Sequence, residues 1–132
     1  MIEEYLRKID EFISSSPHIT AVQVVRRSIW DTDVEKIAIY RYRLKMSDES
    51  PLELTERIIE EKGVVVTTRY RYHWQTKDGK LIKRWDNAPH HPEIDTFPNH
   101  VHNGSEIKVS SHKRISGLQA LELVTSLIEK IT

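Results

Sequence analysis

Four of the seven histidines fall between Arg84 and His102, in the run R-W-D-N-A-P-H-H-P-E-I-D-T-F-P-N-H-V-H. The same stretch carries Pro89, Pro92 and Pro98, three of the five prolines. Imidazole titrates near neutrality, at about pH 6.5, so it suits proton transfer and metal binding. Proline fixes φ and stiffens a connecting segment. A stiff segment holding His90, His91, His100 and His102 beside Arg84, Asp86 and Asn87 is the first place to look for function.

Such residues serve three kinds of chemistry. In metal-free cleavage of RNA, one histidine takes the proton of a ribose 2′-hydroxyl and a second protonates the leaving oxygen. Arg71 and Arg84, with Arg69, His73 and Asn87 beside them, hold the phosphate and its charge, Asp86 orients a histidine or an arginine, and Trp85 or Phe97 stacks on a base. In a metal site, His100-x-His102 with His90, His91, Glu93 or Asp86 offers nitrogen and oxygen ligands for zinc or manganese. In a binding surface, Trp85, Phe97 and the arginines contact a partner and no bond is made or broken. The expectation is the first, with no cofactor; a non-catalytic binding surface is the alternative, and a divalent metal at the histidines a further one.

The strands around this segment supply more groups. Val64 to Gln75 alternates cleanly, with Tyr70, Tyr72 and Trp74 on one side and Arg69, Arg71 and His73 on the other. Asp78-Gly79 is a strong hairpin signal, and Leu81 to Asp86 is the returning strand. A two-residue loop there sets Arg71 opposite Asp86, Tyr72 opposite Trp85 and His73 opposite Arg84. Directly opposed side chains share a face. One face then carries aromatic core, and the other carries Arg69, Arg71, His73, Arg84 and Asp86.

The remaining elements follow from periodicity. Ile2, Tyr5, Leu6, Ile9, Phe12 and Ile13 mark a helix over residues 2–15, which Pro17 ends. Ser116 and Gln119 form a capping-box pattern before a second helix striped by Leu118, Leu121, Val124, Leu127, Ile128 and Ile131. Residues 19–29 and 37–46 read as strands; in 51–61 Leu52 and Leu54 alternate as in a strand while Leu54, Ile58 and Ile59 also fit a helix, and the turn before it and Gly63 after it favour the strand. In 37–46, Ala38, Tyr40, Tyr42, Leu44 and Met46 alternate with Arg41, Arg43 and Lys45. Trp30, Asp31 and Asp33 read as loop, and His18 and His112 as surface residues. The expected fold is α+β: a mostly antiparallel sheet of about five strands, with the two terminal helices packed on one face.

Composition bounds the rest. The 132 residues suit a single domain, 1–132, large enough for a real core. Charged residues make up 30% of the chain, yet aliphatic and aromatic residues are plentiful, as in a globular rather than a disordered protein. Without cysteine there are no disulfides, thiolate metal sites or cysteine nucleophiles. No apolar run is long enough to span a bilayer, and no signal-like segment opens the chain, so the expected compartment is the cytoplasm. Twenty basic and twenty acidic residues balance, unlike a general nucleic-acid coat protein. The balance is not local. Arg69, Arg71, Lys77, Lys80, Lys83 and Arg84 are met between Arg69 and His91 only by Asp78 and Asp86, whereas Glu49 to Glu61 is acidic.

The runs Tyr70-Arg71-Tyr72-His73-Trp74-Gln75, Asp78-Gly79-Lys80-Leu81-Ile82, Arg84-Trp85-Asp86-Asn87-Ala88-Pro89-His90-His91-Pro92-Glu93 and Thr96-Phe97-Pro98-Asn99-His100-Val101-His102 resemble the TumE-type toxin family. The resemblance implies the toxin of a type II toxin–antitoxin pair. It implies a small antitoxin partner, of the helix-turn-helix DNA-binding kind, and a target in RNA or translation. By position it points to Arg84, Asp86, Asn87, His90, His91, His100 and His102. Asn99 departs from the pattern, which would carry a histidine or similar residue there. A homo-oligomer is compatible with all of this.

Overall fold

The fold was taken from a computed structural model, which describes residues 1–131. Its elements are α1 (Ile2–Ser15), β1 (Ile19–Asp31), β2 (Lys36–Met46), β3 (Pro51–Glu61), β4 (Val64–Gln75), β5 (Leu81–Asp86), β6 (His100–Asn103), β7 (Val109–Ser111) and α2 (Gly117–Ile131). The seven strands form one antiparallel sheet in sequence order, each pairing with the next. The α+β class is as expected, but there are seven strands rather than about five. The two extra strands, β6 and β7, have four and three residues, too few for a period of two to stand out. Trp30 and Asp31, expected in a loop, extend β1 and pair with Ile37 and Lys36.

Both helices pack on one face of the sheet. Ile2, Leu6, Ile9 and Ile13 of α1 join Ala120, Leu121, Val124 and Ile128 of α2 in one core with Ala38, Tyr40, Tyr42, Leu44 and Met46 of β2. The chain leaves α1 at Ser16, which is extended, just before Pro17. The capping box of α2 forms as the sequence suggests: the Ser116 N–H donates to Gln119 Oε1 at 2.8 Å, and the Gln119 N–H donates to Ser116 Oγ at 3.1 Å. The stripe of α2 turns away at its end, where Ile131 is exposed.

A single acid ties both helices to the sheet. Glu56 of β3 is fully buried beneath them. It accepts hydrogen bonds from the Tyr5 hydroxyl of α1, the Tyr40 hydroxyl at 2.6 Å, the Thr67 hydroxyl at 2.5 Å and the Gly117 N–H at 3.2 Å. A buried carboxylate is tolerable only with such a set of donors. Gly117 is required here, because a Cβ would lie 2.0 Å from the Tyr40 hydroxyl oxygen.

The hairpin that carries the site has the expected register for a different reason. Arg71 pairs with Asp86, Tyr72 with Trp85 and His73 with Arg84. The turn, however, closes at Thr76 and Lys80, whose N–H···O bond is 2.7 Å, and Gly79 takes a positive φ of 91°. That three-residue loop would shift the pairing by one. Trp74 pairs with Lys83 and Gln75 with Leu81, so Ile82 is an extra residue in β5 that restores it.

Candidate active site

The open face of the sheet is hollowed at its β4–β5–β6 end by a cavity of about 920 Å³. Alternation sets its floor. Trp85 and Val101 point to the core, so their neighbours Arg84, Asp86, His100 and His102 point the other way. The pairing places Asp86 opposite His100 and Arg84 opposite His102. Residues 87–99 then fold back as a roof, bringing His90, His91 and Phe97 to the cavity wall, with Arg69 and Arg71 of β4 opposite.

Three imidazoles converge. The His100 ring lies 4.9 Å from those of His91 and His102, and His91 and His102 are 5.7 Å apart, all edge to face. Asp86 lies beneath them, 5% exposed. Its Oδ1 is 2.9 Å from His100 Nε2 and accepts the Ala88 N–H at 3.0 Å; its Oδ2 accepts Arg84 Nε–H at 3.1 Å and is 3.6 Å from His102 Nε2. Asp86 is thus the common support of two histidines and one arginine.

Hydrogen bonds distinguish the two buried rings. His102 Nδ1 is 2.9 Å from the Glu106 carbonyl, which only accepts, so Nδ1 carries the proton. Its Nε2 faces Arg84 Nη2 at 3.1 Å, which only donates, so Nε2 presents a lone pair. Burial lowers the His102 pKa below the usual histidine value, and the Arg84 charge lowers it further. His100 faces acceptors at both nitrogens, the Pro98 carbonyl at 2.9 Å from Nδ1 and Asp86 Oδ1 at 2.9 Å from Nε2. His91 is the most open of the three, with Nδ1 3.3 Å from Glu93.

Arg84 is fixed from several sides. Besides Asp86 it makes a bidentate pair with Glu106, both contacts at 2.6 Å. Burial works against its charge, but the bonds to Glu106 and Asp86 overcome this and raise its pKa, while the same pair lowers that of Glu106.

Of the residues named from sequence, His90, His91, His100, His102, Asp86, Arg84, Arg69, Arg71 and Asn87 all border this cavity. Two need a different role. Trp85 is 3% exposed on the helix-covered face, so it cannot stack on a ligand in the cavity; Phe97, 44% exposed, is the aromatic ring there. Asn87 spends its amide on the backbone: Oδ1 accepts the Tyr70 N–H at 3.1 Å and Nδ2 donates to the Thr68 carbonyl at 3.1 Å. It fastens the roof to β4 rather than facing a phosphate. His73 shares the open face but lies in a neighbouring depression, 3.1 Å from Gln75 and beside Arg71. Burial and the Arg71 charge lower its pKa. Asn99, where the pattern departs, accepts the Tyr70 hydroxyl at 2.9 Å. Glu106 was missed. Asn103-Gly104 is a turn dipeptide that signals the β6–β7 hairpin carrying it, and Gly104 takes a positive φ of 77°.

A metal ion would find His91, His100 and His102 as ligands, each offering a nitrogen within 4.8 Å of the others. Nitrogens around zinc at about 2.1 Å sit roughly 3.4 Å apart, so the widest pair would have to close by no more than about 1.4 Å. The Nδ1–H bonds of His100 and His102 to carbonyl oxygens are the support that metal-binding histidines use. The Arg84 cation on the His102 lone pair opposes a second positive charge there.

The fold and the cavity together define a small α+β protein with a histidine, arginine and carboxylate site on its open sheet face. The chain belongs to the family described as toxin TumE, whose model matches residues 9–132. The match takes in the whole sheet and α2, and therefore every residue of the cavity. It is thus a toxin-family protein. No curated protein and no solved structure matches it. Among the described residues no helix is long and apolar enough to cross a membrane.

Proposed function

We propose that this protein is the toxin of a type II toxin–antitoxin pair and that it cleaves RNA by histidine acid–base chemistry without a metal. One observation carries the reading: three histidines meet over Asp86 and Arg84 in the main cavity of a toxin-family chain. His102 is the base. A ribose 2′-hydroxyl takes the place of Arg84 at Nε2 and gives up its proton there as its oxygen attacks phosphorus. The P–O5′ bond breaks, and His91, paired with Glu93, returns a proton to the departing 5′-oxygen. The products are a 2′,3′-cyclic phosphate and a 5′-hydroxyl. Arg84 and Arg71 neutralise the phosphorane oxygens, and Asp86 holds His100 and Arg84 in position. The partner is a small antitoxin of the helix-turn-helix kind, and the compartment is the cytoplasm.

The reading is tested by incubating RNA with the protein in EDTA. Cleavage that disappears in His91→Ala and His102→Ala supports it. Intact RNA under all conditions, with both variants as toxic as the parent, would sink it. The hydrogen bonds at Nδ1 of His100 and His102 favour a second reading, a divalent metal held by His91, His100 and His102. Such an ion would supply a Lewis acid, and cleavage would then stop in EDTA and return with zinc or manganese.

A further inference from the structure

The helices leave the second face of the sheet open, and its register lines side chains up in rows across the strands. One row reads Arg26, Arg41, Thr55, Arg71, Asp86 and His100, running from the β1 edge into the cavity. The adjacent row holds Ser28, Ile39, Arg57 and Arg69. Arg57 and Arg69 sit directly opposite each other, where like charges repel and cost stability. Among the described residues neither is ion-paired with a carboxylate. Arg57 Nη1 donates to the Thr68 hydroxyl at 2.9 Å, and the Arg69 guanidinium has no side-chain partner among the described residues. Arg41 and Arg43 share one acid, Glu53, at 3.1 and 2.9 Å, leaving that trio positive. A depression lined by Arg41, Glu53, Thr55, Arg57 and Arg69 adjoins the cavity, with Arg71 in the wall of both. Beyond it Trp30, 38% exposed, borders the same face opposite Ile37.

A line of arginines with only Glu53 set against it, shared between Arg41 and Arg43, ends at the reacting groups and calls for a polyanion lying along it. We propose that the substrate is single-stranded RNA and that one flank of the scissile bond crosses this face. Its phosphates meet Arg71, Arg69, Arg57 and Arg41 in turn, and a base stacks on Trp30. This rests on the cleavage reading for where the scissile phosphate lies. Width decides for one strand over two. The two rows are two residues apart, about 7 Å, a lane for one phosphodiester backbone. Its length from β5 to β1 is four strand spacings, roughly 19 Å, enough for several nucleotides. Arginine with an aromatic ring is the combination that holds unpaired nucleotides without reading sequence.

The test uses the full chain silenced by His102→Ala, with anisotropy of labelled oligoribonucleotides of graded length and of a blunt RNA duplex. Single strands long enough to reach β1 are expected to bind more tightly than short ones and than the duplex. Adding Arg41→Ala and Arg57→Ala, both outside the cavity wall, is expected to weaken single-strand binding tenfold or more. The slope of log K against log salt should flatten by about 1.4, two contacts at about 0.7 each. Trp30→Ala reports the stacking end separately, and unchanged melting temperatures show that the variants fold. Equal affinity and slope in the arginine variant, or a preference for duplex, would overturn the lane. So would loss of antitoxin binding in that variant with RNA binding intact, which would make the face a protein interface. The two proposals fail separately. Binding as described without cleavage by the parent protein removes only the catalytic reading. Cleavage unaffected by Arg41→Ala and Arg57→Ala removes only the lane.

Discussion

Burial and the Arg84 cation hold His102 below the usual histidine pKa, and this has two consequences. As a base it stays unprotonated to lower pH than an ordinary histidine, so the acid limb of kcat/KM for RNA cleavage is expected below about pH 6.5. Its contribution to stability has the same sign. The folded ring binds its proton less readily than the unfolded one, so the contribution is full above about pH 6.5 and is lost as pH falls through the folded value. His102→Ala is expected to lower kcat by about 10²- to 10⁴-fold, read by initial rates on one oligoribonucleotide. Arg84→Lys tests geometry rather than charge. A lysine cannot hold Asp86, His102 and both oxygens of Glu106 together, so kcat is expected to fall by about 10²- to 10³-fold with intact folding. Much of this cluster was legible from residue type, since four histidines, an arginine and an aspartate fall in one short segment with three prolines. The errors at Trp85 and Asn87 share a cause. Composition says that a residue is near a site, but strand parity decides which way it points, and backbone demand decides what it is free to do.

At the scale of elements, the helices are positioned by Glu56 as much as by apolar packing. Glu56→Ala would leave the Tyr5, Tyr40 and Thr67 hydroxyls and the Gly117 N–H without their acceptor. Denaturant unfolding is expected to show a loss of about 3–5 kcal/mol. Gly117→Ala pushes a methyl group onto the Tyr40 hydroxyl and is expected to cost about 1–3 kcal/mol in the same measurement. Neither residue stands out in the sequence: Glu56 sits at a core position of a strand, where an acid reads as an exception to the pattern. Both helices, β2 and β4 were legible because their periods run over eleven residues or more, β1 from its β-branched residues and β3 from the turn before it and Gly63 after it. β6 and β7 were not, and they matter most, because β6 supplies two of the three converging histidines. The hairpin register was also readable, but only because a bulge at Ile82 compensates for a longer turn, something no dipeptide signal conveys.

At the scale of the whole molecule, one continuous sheet and one core predict one cooperative unit. Far-ultraviolet circular dichroism and tryptophan fluorescence are expected to trace a single coincident unfolding transition. Zero formal charge conceals a division of labour. The helix side buries Glu56, while the open side gathers Arg41, Arg57, Arg69 and Arg71 beside the cavity. Net charge could not reveal this, and local counting along the chain revealed only the β4–β5 part. The most direct measurement of the central claim is the chemistry of the ends left on cleaved RNA in EDTA, read by mass spectrometry. A 2′,3′-cyclic phosphate and a 5′-hydroxyl, absent with His102→Ala and with a 2′-deoxy substitution at the scissile position, are the expected result. A 5′-phosphate formed only when a divalent metal is restored, or no cleavage at all, would contradict it.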